Sequence, residues 1–288
     1  MSSVKNVREE KNKVEKRTLY LVATPIGNLA DLTERAVKVL SEVDFIAAED
    51  TRNSAKLLSF LGISKPMISY FEHNKKGRGE EIVKRIEAGE SCALITDAGT
   101  PAISDPGEDI VALCHEKNIK VSSIPGACAL IVALTMSGLP TGRFLFEGFL
   151  SANKSERRRA LDDLKLETRT MIFHEAPHKL RSTLEDMRVA FGDERRISLC
   201  RELTKLNEEA VRTTLSRAVE YYKENEPRGE YVLVVEGVSE TEKNELFDMS
   251  VEEHVESYIK MGMSKMDAIK AVAKDRGVSK NVIYKEFI

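Results

Sequence analysis

The chain has 288 residues, 42% hydrophobic and 32% charged, a composition that supports buried cores in more than one globular domain and excludes disordered and fibrous classes. Its formal net charge of −3 gives no global attraction to polyanions, so any nucleic-acid contact has to come from local basic patches. Residues 1–17 are nearly all polar or charged, and no apolar run follows that is long enough for a signal-peptide core or a membrane span. They read as a disordered extension of a soluble, cytoplasmic protein with no membrane contact. The four cysteines, Cys92, Cys114, Cys128 and Cys200, are scattered without a CxxC pair and read as ordinary buried thiols.

In chain order, residues 19–23 form a continuous apolar run that stops at the turn-rich Thr24-Pro25-Ile26-Gly27-Asn28, which predicts a buried parallel strand. Asp31 with Glu34 predicts a capping box for a helix carrying Ala36, Val37 and Leu40, and residues 43–48 return to strand. The alternation continues with strand 67–70, a helix through Ile82, Val83 and Ile86, strand 92–96, a helix around 110–114, strand 121–124 and an apolar helix over 128–137. This pattern predicts a mostly parallel sheet covered on both faces. The polar stretch 150–154 marks a boundary, giving a first α/β domain over 18–150. A second α/β domain is expected over 151–238, with strands near 170–173, 196–200, 210–214 and 231–235 and helices near 180–191 and 216–223. The acidic segment 239–249 reads as a linker, and 250–288 as a small helical module.

The strongest local signal is the Gly-, Pro- and Asp-rich stretch 97–107 directly after a predicted strand. In open α/β sheets ligands sit at the carboxyl ends of strands, where glycines let the backbone approach them. Thr24-Pro25-Ile26-Gly27 and Pro125-Gly126-Ala127-Cys128 follow two further strands at the same edge; rigid turns are the alternative for all three. No GxxxxGK[ST] occurs, and Gly77-Arg78-Gly79 lacks the context of a dinucleotide fingerprint. His174-Glu175-Ala176-Pro177-His178 matches HExxH letter by letter. Zinc chemistry needs both histidines on one helical face, however, and Pro177 together with the preceding strand argues against that, so no metal site is expected. Basic residues cluster at Lys75, Lys76 and Arg78, at Lys154 with Arg157, Arg158 and Arg159, at Lys179 with Arg181, and at Arg195, Arg196 and Arg201. These are either solvated helix faces or polyanion contacts.

The segments Pro25-Ile26-Gly27-Asn28-Leu29, Glu49-Asp50-Thr51-Arg52, 97–107, Pro125-Gly126 with Ser137-Gly138-Leu139, 146–150, Glu175-Ala176-Pro177-His178 and 201–205 occur in one order over residues 18–237. Together they resemble the RsmI family, the 16S ribosomal RNA cytidine 2′-O-ribose methyltransferases of the tetrapyrrole methylase-like class. The resemblance implies two α/β domains with a small C-terminal helical module, S-adenosyl-L-methionine as cofactor, 16S rRNA of the small ribosomal subunit as partner, and a homodimer. It places Pro25, Thr96, Asp97, Ala98, Gly99, Thr100, Cys128, Ala129, Leu203 and Thr204 where the class contacts its cofactor. Glu175, His178, Arg201 and Lys205 fall in motifs implied to face the reaction. His174 departs from the tyrosine of many members, and residues 250–287 resemble the helix-turn-helix extension that some members carry.

Methyl transfer to a ribose hydroxyl is an in-line displacement in which alignment does much of the work and a base adds roughly 10²- to 10⁴-fold. The sequence does not choose between Glu175 and His178 as that base. Two other readings stay open: a tetrapyrrole or other small-molecule methyltransferase of the same architecture, and a non-catalytic RNA-binding ribosome-assembly protein. Lys265, Lys270, Lys274, Arg276, Lys280 and Lys285 make an RNA contact of the C-terminal module the expectation, with a packing appendage as its alternative.

Overall fold

The computed structural model describes residues 13–239, 241, 249–260 and 263–287. The expected N-terminal extension lies outside the described residues as far as residue 12, and the expected linker does so at 240 and 242–248. The chain divides into two compact units, 1–136 with 200–210, and 137–199 with 211–288.

The first unit holds a parallel sheet of β1 (Thr18–Val22), β2 (Phe45–Ala48), β3 (Met67–Ser69), β4 (Cys92–Ile95) and β5 (Lys120–Ile124), in the order β3-β2-β4-β1-β5. The three inner strands β1, β2 and β4 are buried along their whole length and apolar almost without interruption because both faces are covered. Leu19, Leu21, Phe45, Ala47, Cys92 and Leu94 pack toward Ile82 and Ile86 of α3 (Lys75–Glu87) and Ile110 and Cys114 of α4 (Gly107–Glu116). On the other face Tyr20, Val22, Ile46, Ala48, Ala93 and Ile95 meet Ala36, Val39 and Leu40 of α1 (Glu34–Glu42) and Leu58 of α2 (Thr51–Phe60). The cap of α1 is not the expected box. Thr33 accepts from the Ala36 N–H, while Asp31 ends a 3-10 turn over Leu29–Asp31. The apolar helix after β5 is α5 (Ala129–Met136).

The second unit holds β6 (Phe144–Phe149), β7 (Thr170–Glu175), β8 (Arg196–Arg201), β9 (Glu209–Thr214) and β10 (Tyr231–Val235), in the order β6-β7-β10-β8-β9. β6 pairs in parallel with β7, and β10 runs antiparallel to β7. The first domain was expected to run to residue 150, which would put β6 with the first sheet. The pairing puts it in the second, because the polar stretch after β6 opens α6 (Lys154–Asp163) rather than separating two domains. The core gathers Met171, Phe173, Leu199, Leu233 and Val235 under Leu161 of α6, Leu180, Leu184 and Met187 of α7 (Pro177–Phe191), and Leu215, Ala218 and Tyr222 of α8 (Leu215–Glu224).

The C-terminal module is three helices, α9 (Val251–Lys260), α10 (Lys265–Asp275) and α11 (Lys280–Phe287), closed around Val255, Tyr258, Ile269, Val272 and Ile283. About 40 residues bury little core alone, and the module is seated on the α/β body of its unit. The Lys165 ammonium lies 3.7 Å from the centre of the Tyr258 ring and 3.7 Å from an Asp275 carboxylate oxygen, and Lys274 pairs with Asp163. Three of the six basic side chains expected to meet RNA from this module are engaged within the chain. Lys270 pairs with Asp267, Lys274 with Asp163, and Arg276 donates to His254 and to backbone carbonyls. Among the described residues no helix is long and apolar enough to cross a membrane.

Candidate cofactor site

The order β3-β2-β4-β1-β5 creates a switch point between β1 and β4, because the chain leaves β1 toward β2 on one side and leaves β4 toward β5 on the other. Open α/β sheets bind ligands outside the carboxyl ends of strands at this position. Thr24 and Gly99 stand there as an isolated antiparallel bridge: the Thr24 N–H donates to the Gly99 carbonyl at 2.9 Å and the Gly99 N–H to the Thr24 carbonyl at 3.1 Å. The Thr24 hydroxyl donates to the Thr96 carbonyl and the Thr100 hydroxyl to the Ala127 carbonyl, so the ends of β1, β4 and β5 are laced together. Gly126 is needed where β5 ends, since a Cβ there would come within 2.7 Å of the Ala23 methyl.

The loop after β4 is held in an unusual path. Ala102 and Ser104 have φ of +66° and +65°, a region that costs an L-residue energy and recurs at ligand sites. The Asp105 carboxylate fixes that path by accepting N–H bonds from Ala102, Ile103 and Gly107 at 3.0, 3.2 and 2.7 Å.

The sequence-predicted cofactor residues all fall in this first unit. Pro25 follows β1 half-buried, Thr96 and Gly99 are buried, Thr100 is half-buried, and Asp97 and Ala98 are exposed. Cys128 accepts the first N–H bonds of α5 through its carbonyl and Ala129 opens that helix; unlike Cys92, Cys114 and Cys200, Cys128 is not fully buried. Leu203 and Thr204 reach the unit because the excursion 200–210 between β8 and β9 joins it. Glu202 and Thr204 have φ of +51° and +66°, and the Glu208 carboxylate accepts the Thr204 N–H at 2.6 Å. The Lys205 stem covers Gly27 so closely that a Cβ there would force the stem to shift.

Two polar atoms of this excursion, Thr204 Oγ1 and Arg201 Nε, are shielded from solvent without a hydrogen-bond partner among the described residues. Orphaned buried groups are costly unless something satisfies them. A polar ligand at this edge would do so, and the residues present therefore fit a bound cofactor.

The candidates for chemistry divide between the units. Arg201 pairs with Glu209 at 2.9 Å and Lys205 with Glu202 at 3.0 Å, both in the first unit. Glu175 and His178 belong to the second. The Glu175 carboxylate, 2% exposed, accepts from the Ala176 N–H at 2.9 Å and the Thr183 hydroxyl at 2.5 Å and pairs with Lys179 at 3.2 Å. It anchors the start of α7 and is not a free base. His178 is exposed in the first turn of that helix. The HExxH-like string is split: His174 and Glu175 end β7, and Pro177 opens α7. His174 lies edge-on to Phe146 and Phe149, and burial holds its imidazole below the usual histidine range.

Glu49 of the Glu49-Asp50-Thr51-Arg52 motif also stands at this edge, beyond the residues that the resemblance implies. Glu49, directly after β2, accepts the Asp97 N–H at 3.3 Å, and burial pushes its carboxyl above the usual range, with Asp97 and Asp105 adding to the rise. An acidic residue immediately after a strand on the ligand edge was the available signal. A raised folded pKa means that the folded chain holds a proton the unfolded chain releases. That stabilising contribution is complete below the unfolded value of about 4.3 and is lost as pH rises through the folded one. Glu49→Gln is therefore expected to raise the thermal midpoint relative to the parent at pH 7, with the gain vanishing toward pH 4. A midpoint difference that stays constant across that range would remove Glu49 from this account.

The basic clusters are largely neutralised by carboxylates, most of them distant in sequence. Arg157 and Arg158 both pair with Asp186, Arg181 with Glu226, Arg196 with Glu236, and Lys75 with Glu72 and Asp109.

Residues 18–219 match the family model described as Tetrapyrrole (Corrin/Porphyrin) Methylases. The chain is 18% identical to the solved uroporphyrin-III C-methyl transferase from Thermus thermophilus complexed with S-adenyl homocysteine, with a TM-score of 0.56 over 76% of this chain and 97% of that one. It is 49% identical over 273 residues to the ribosomal RNA small subunit methyltransferase I of Halalkalibacterium halodurans, covering 94% of each chain. To the protein of the same name from Synechocystis it is 46% identical, over 92% of this chain and 95% of that one. With such overlap in both directions, the chain belongs to the ribosomal RNA small subunit methyltransferase I family within the tetrapyrrole (corrin/porphyrin) methylases.

Proposed function

We propose that this chain transfers a methyl group from S-adenosylmethionine to the ribose 2′-hydroxyl of a cytidine in 16S rRNA of the small ribosomal subunit, in the cytoplasm and as a homodimer. The observation that carries the reading is the identity of 46–49% over more than nine-tenths of both chains to proteins named for small-subunit ribosomal RNA methylation. Structural likeness to a porphyrin methyltransferase at 18% identity speaks for the shared fold and not for a shared substrate.

When bound, S-adenosylmethionine supplies a methyl group on a sulfonium, ready for in-line displacement without a covalent enzyme intermediate. The residues proposed to hold it are Pro25, Thr96–Thr100, Cys128, Ala129, Leu203 and Thr204. The Thr24–Gly99 bridge fixes the two strand ends beside it, and the Thr204 hydroxyl gains the partner it otherwise lacks. Alignment of this kind reaches effective molarities of roughly 10⁵ M and carries most of the rate. Of the two candidate bases, Glu175 is committed to the start of α7 through the Ala176 N–H and the Thr183 hydroxyl, which leaves the exposed His178 as the candidate.

The test is to incubate undermethylated small ribosomal subunits with the purified protein and methyl-labelled cofactor, then digest the RNA and identify the labelled nucleoside. Label in 2′-O-methylcytidine is the expected result. Label on a base, or none in RNA, would overturn the assignment.

A further inference from the structure

The basic clusters of this chain are mostly paired off, and one hollow is an exception. It has a volume of about 280 Å³ in the second unit, between the 137–139 turn, the start of β8, the end of β9 and the first turn of α8. Arg196, Arg212 and Arg217 line it with Thr213 and Thr214, and no acidic residue does. Arg196 is satisfied by Glu236, with its Nε donating at 2.7 Å. Arg212 and Arg217 are exposed, and among the described residues neither meets a carboxylate.

The turn at Gly138 lies beside one of these guanidiniums. Gly138 has φ of +71°, and a Cβ there would come within 3.4 Å of Arg212 Cδ and 3.6 Å of its Nη1. The Arg212 side chain thus lies beside this turn, with no carboxylate on it among the described residues. Like charges brought together without an acidic partner are unfavourable unless an anion joins them. The volume is at the lower edge of the roughly 300–1,000 Å³ of small-molecule sites, a size suited to one group of a larger ligand. Guanidinium forks match phosphate oxygens two at a time, and phosphate contacts position a nucleic acid without reading its sequence.

We propose that this hollow is a binding site for a backbone phosphate of the RNA substrate, gripped by Arg212 and Arg217. The inference rests on the ribosomal RNA reading above and adds a surface on which that RNA is held.

The test titrates the full-length protein and an Arg212→Gln/Arg217→Gln double variant with an end-labelled 16S rRNA transcript across a salt series. The slope of log Kd against log salt is expected to become shallower by roughly 0.7 to 0.9 for each guanidinium removed. S-adenosylmethionine affinity by calorimetry and the thermal midpoint are expected to stay at parental values. The Arg212→Lys/Arg217→Lys variant is expected to keep the slope and lose affinity, because the charges remain while the forks are lost. Equal slopes in the parent and the glutamine variant overturn the site. So does a variant whose dimer dissociates while its RNA slope is unchanged, which assigns the hollow to a second copy of the chain. If the parent neither binds the transcript nor methylates small subunits, the ribosomal RNA reading falls and this site with it. Methylation by the parent combined with equal slopes sinks the phosphate site alone.

Discussion

Gly99→Leu is expected to weaken S-adenosylmethionine binding by roughly tenfold or more. Gly99 sits at φ +86°, where an L-residue costs about 1–2 kcal/mol, and about 1.4 kcal/mol is a factor of ten in affinity. Its new Cβ would also come within 3.3 Å of Ile26 Cγ2, crowding the loop after β1, and within ordinary contact of the Ala127 carbonyl, so the rest of the leucine side chain has to grow between the two loops. The Thr24–Gly99 bridge cannot keep both of its bonds while the loop relieves that crowding. Calorimetry on a variant with parental circular dichroism is the measurement. Gly99→Asn, whose side chain tolerates the left-handed region, is expected to lose less. Parental affinity in the leucine variant would take this loop out of the cofactor site.

Asp186→Ala is expected to cost about 3–5 kcal/mol of stability, the usual result of stripping one partner from a buried ion pair. Arg157 and Asp186 are 5% and 3% exposed, and the carboxylate receives Arg157 Nε at 2.9 Å, Arg157 Nη2 at 2.7 Å and Arg158 Nε at 2.8 Å. Arg157 also donates to the Ser151 and Ala152 carbonyls, so the pair pins the loop ahead of α6 onto α7. Burial alone would raise the Asp186 pKa, but the hydrogen bonds from Arg158 and Arg157 and their charge outweigh it, and the carboxyl is held below the usual range. A lowered folded pKa contributes stability that is present above the unfolded value of about 3.9 and is lost as pH falls through the folded one. The deficit of the variant, read by urea unfolding, is therefore expected at neutral pH and to shrink in strong acid. Adding Arg157→Leu to an Asp186→Leu variant should recover most of the loss, since an apolar pair leaves no buried charge behind. A double variant as unstable as the single one would mean that the loop bonds of Arg157, and not the ion pair, dominate.

Much of the first unit was legible because parallel strands covered on both faces are written as unbroken apolar runs, and the residues that follow them define the ligand edge. The split of the HExxH-like string between β7 and α7 was also readable, since Pro177 belongs in a first helical turn and not inside a helix. Partners distant along the chain were not. The Arg157–Arg159 run looks like an RNA contact until Asp186 appears opposite two of its members, and Lys274 looks free until Asp163 does. The same blindness to long-range pairing put β6 in the first domain, whereas the Thr33 cap is local and was missed because Asp31 with Glu34 has the same spacing as a capping box. The expectation that Leu203 and Thr204 meet the cofactor came from family resemblance; nothing in periodicity indicates that residues 200–210 return to the first unit.

That return has a consequence for how the chain is made. During synthesis, domains generally fold from the amino terminus as units, at about 5–20 residues per second. All five strands of the first sheet have been translated once residue 124 is reached, yet the unit they belong to also needs residues 200–210. A nascent chain halted between those two points carries the laced strand ends without Leu203, Thr204 or the Lys205 stem that covers Gly27. The first sheet therefore spends several seconds of translation as a partial fold, and the edge proposed to hold the cofactor is finished only after most of the second sheet has left the ribosome.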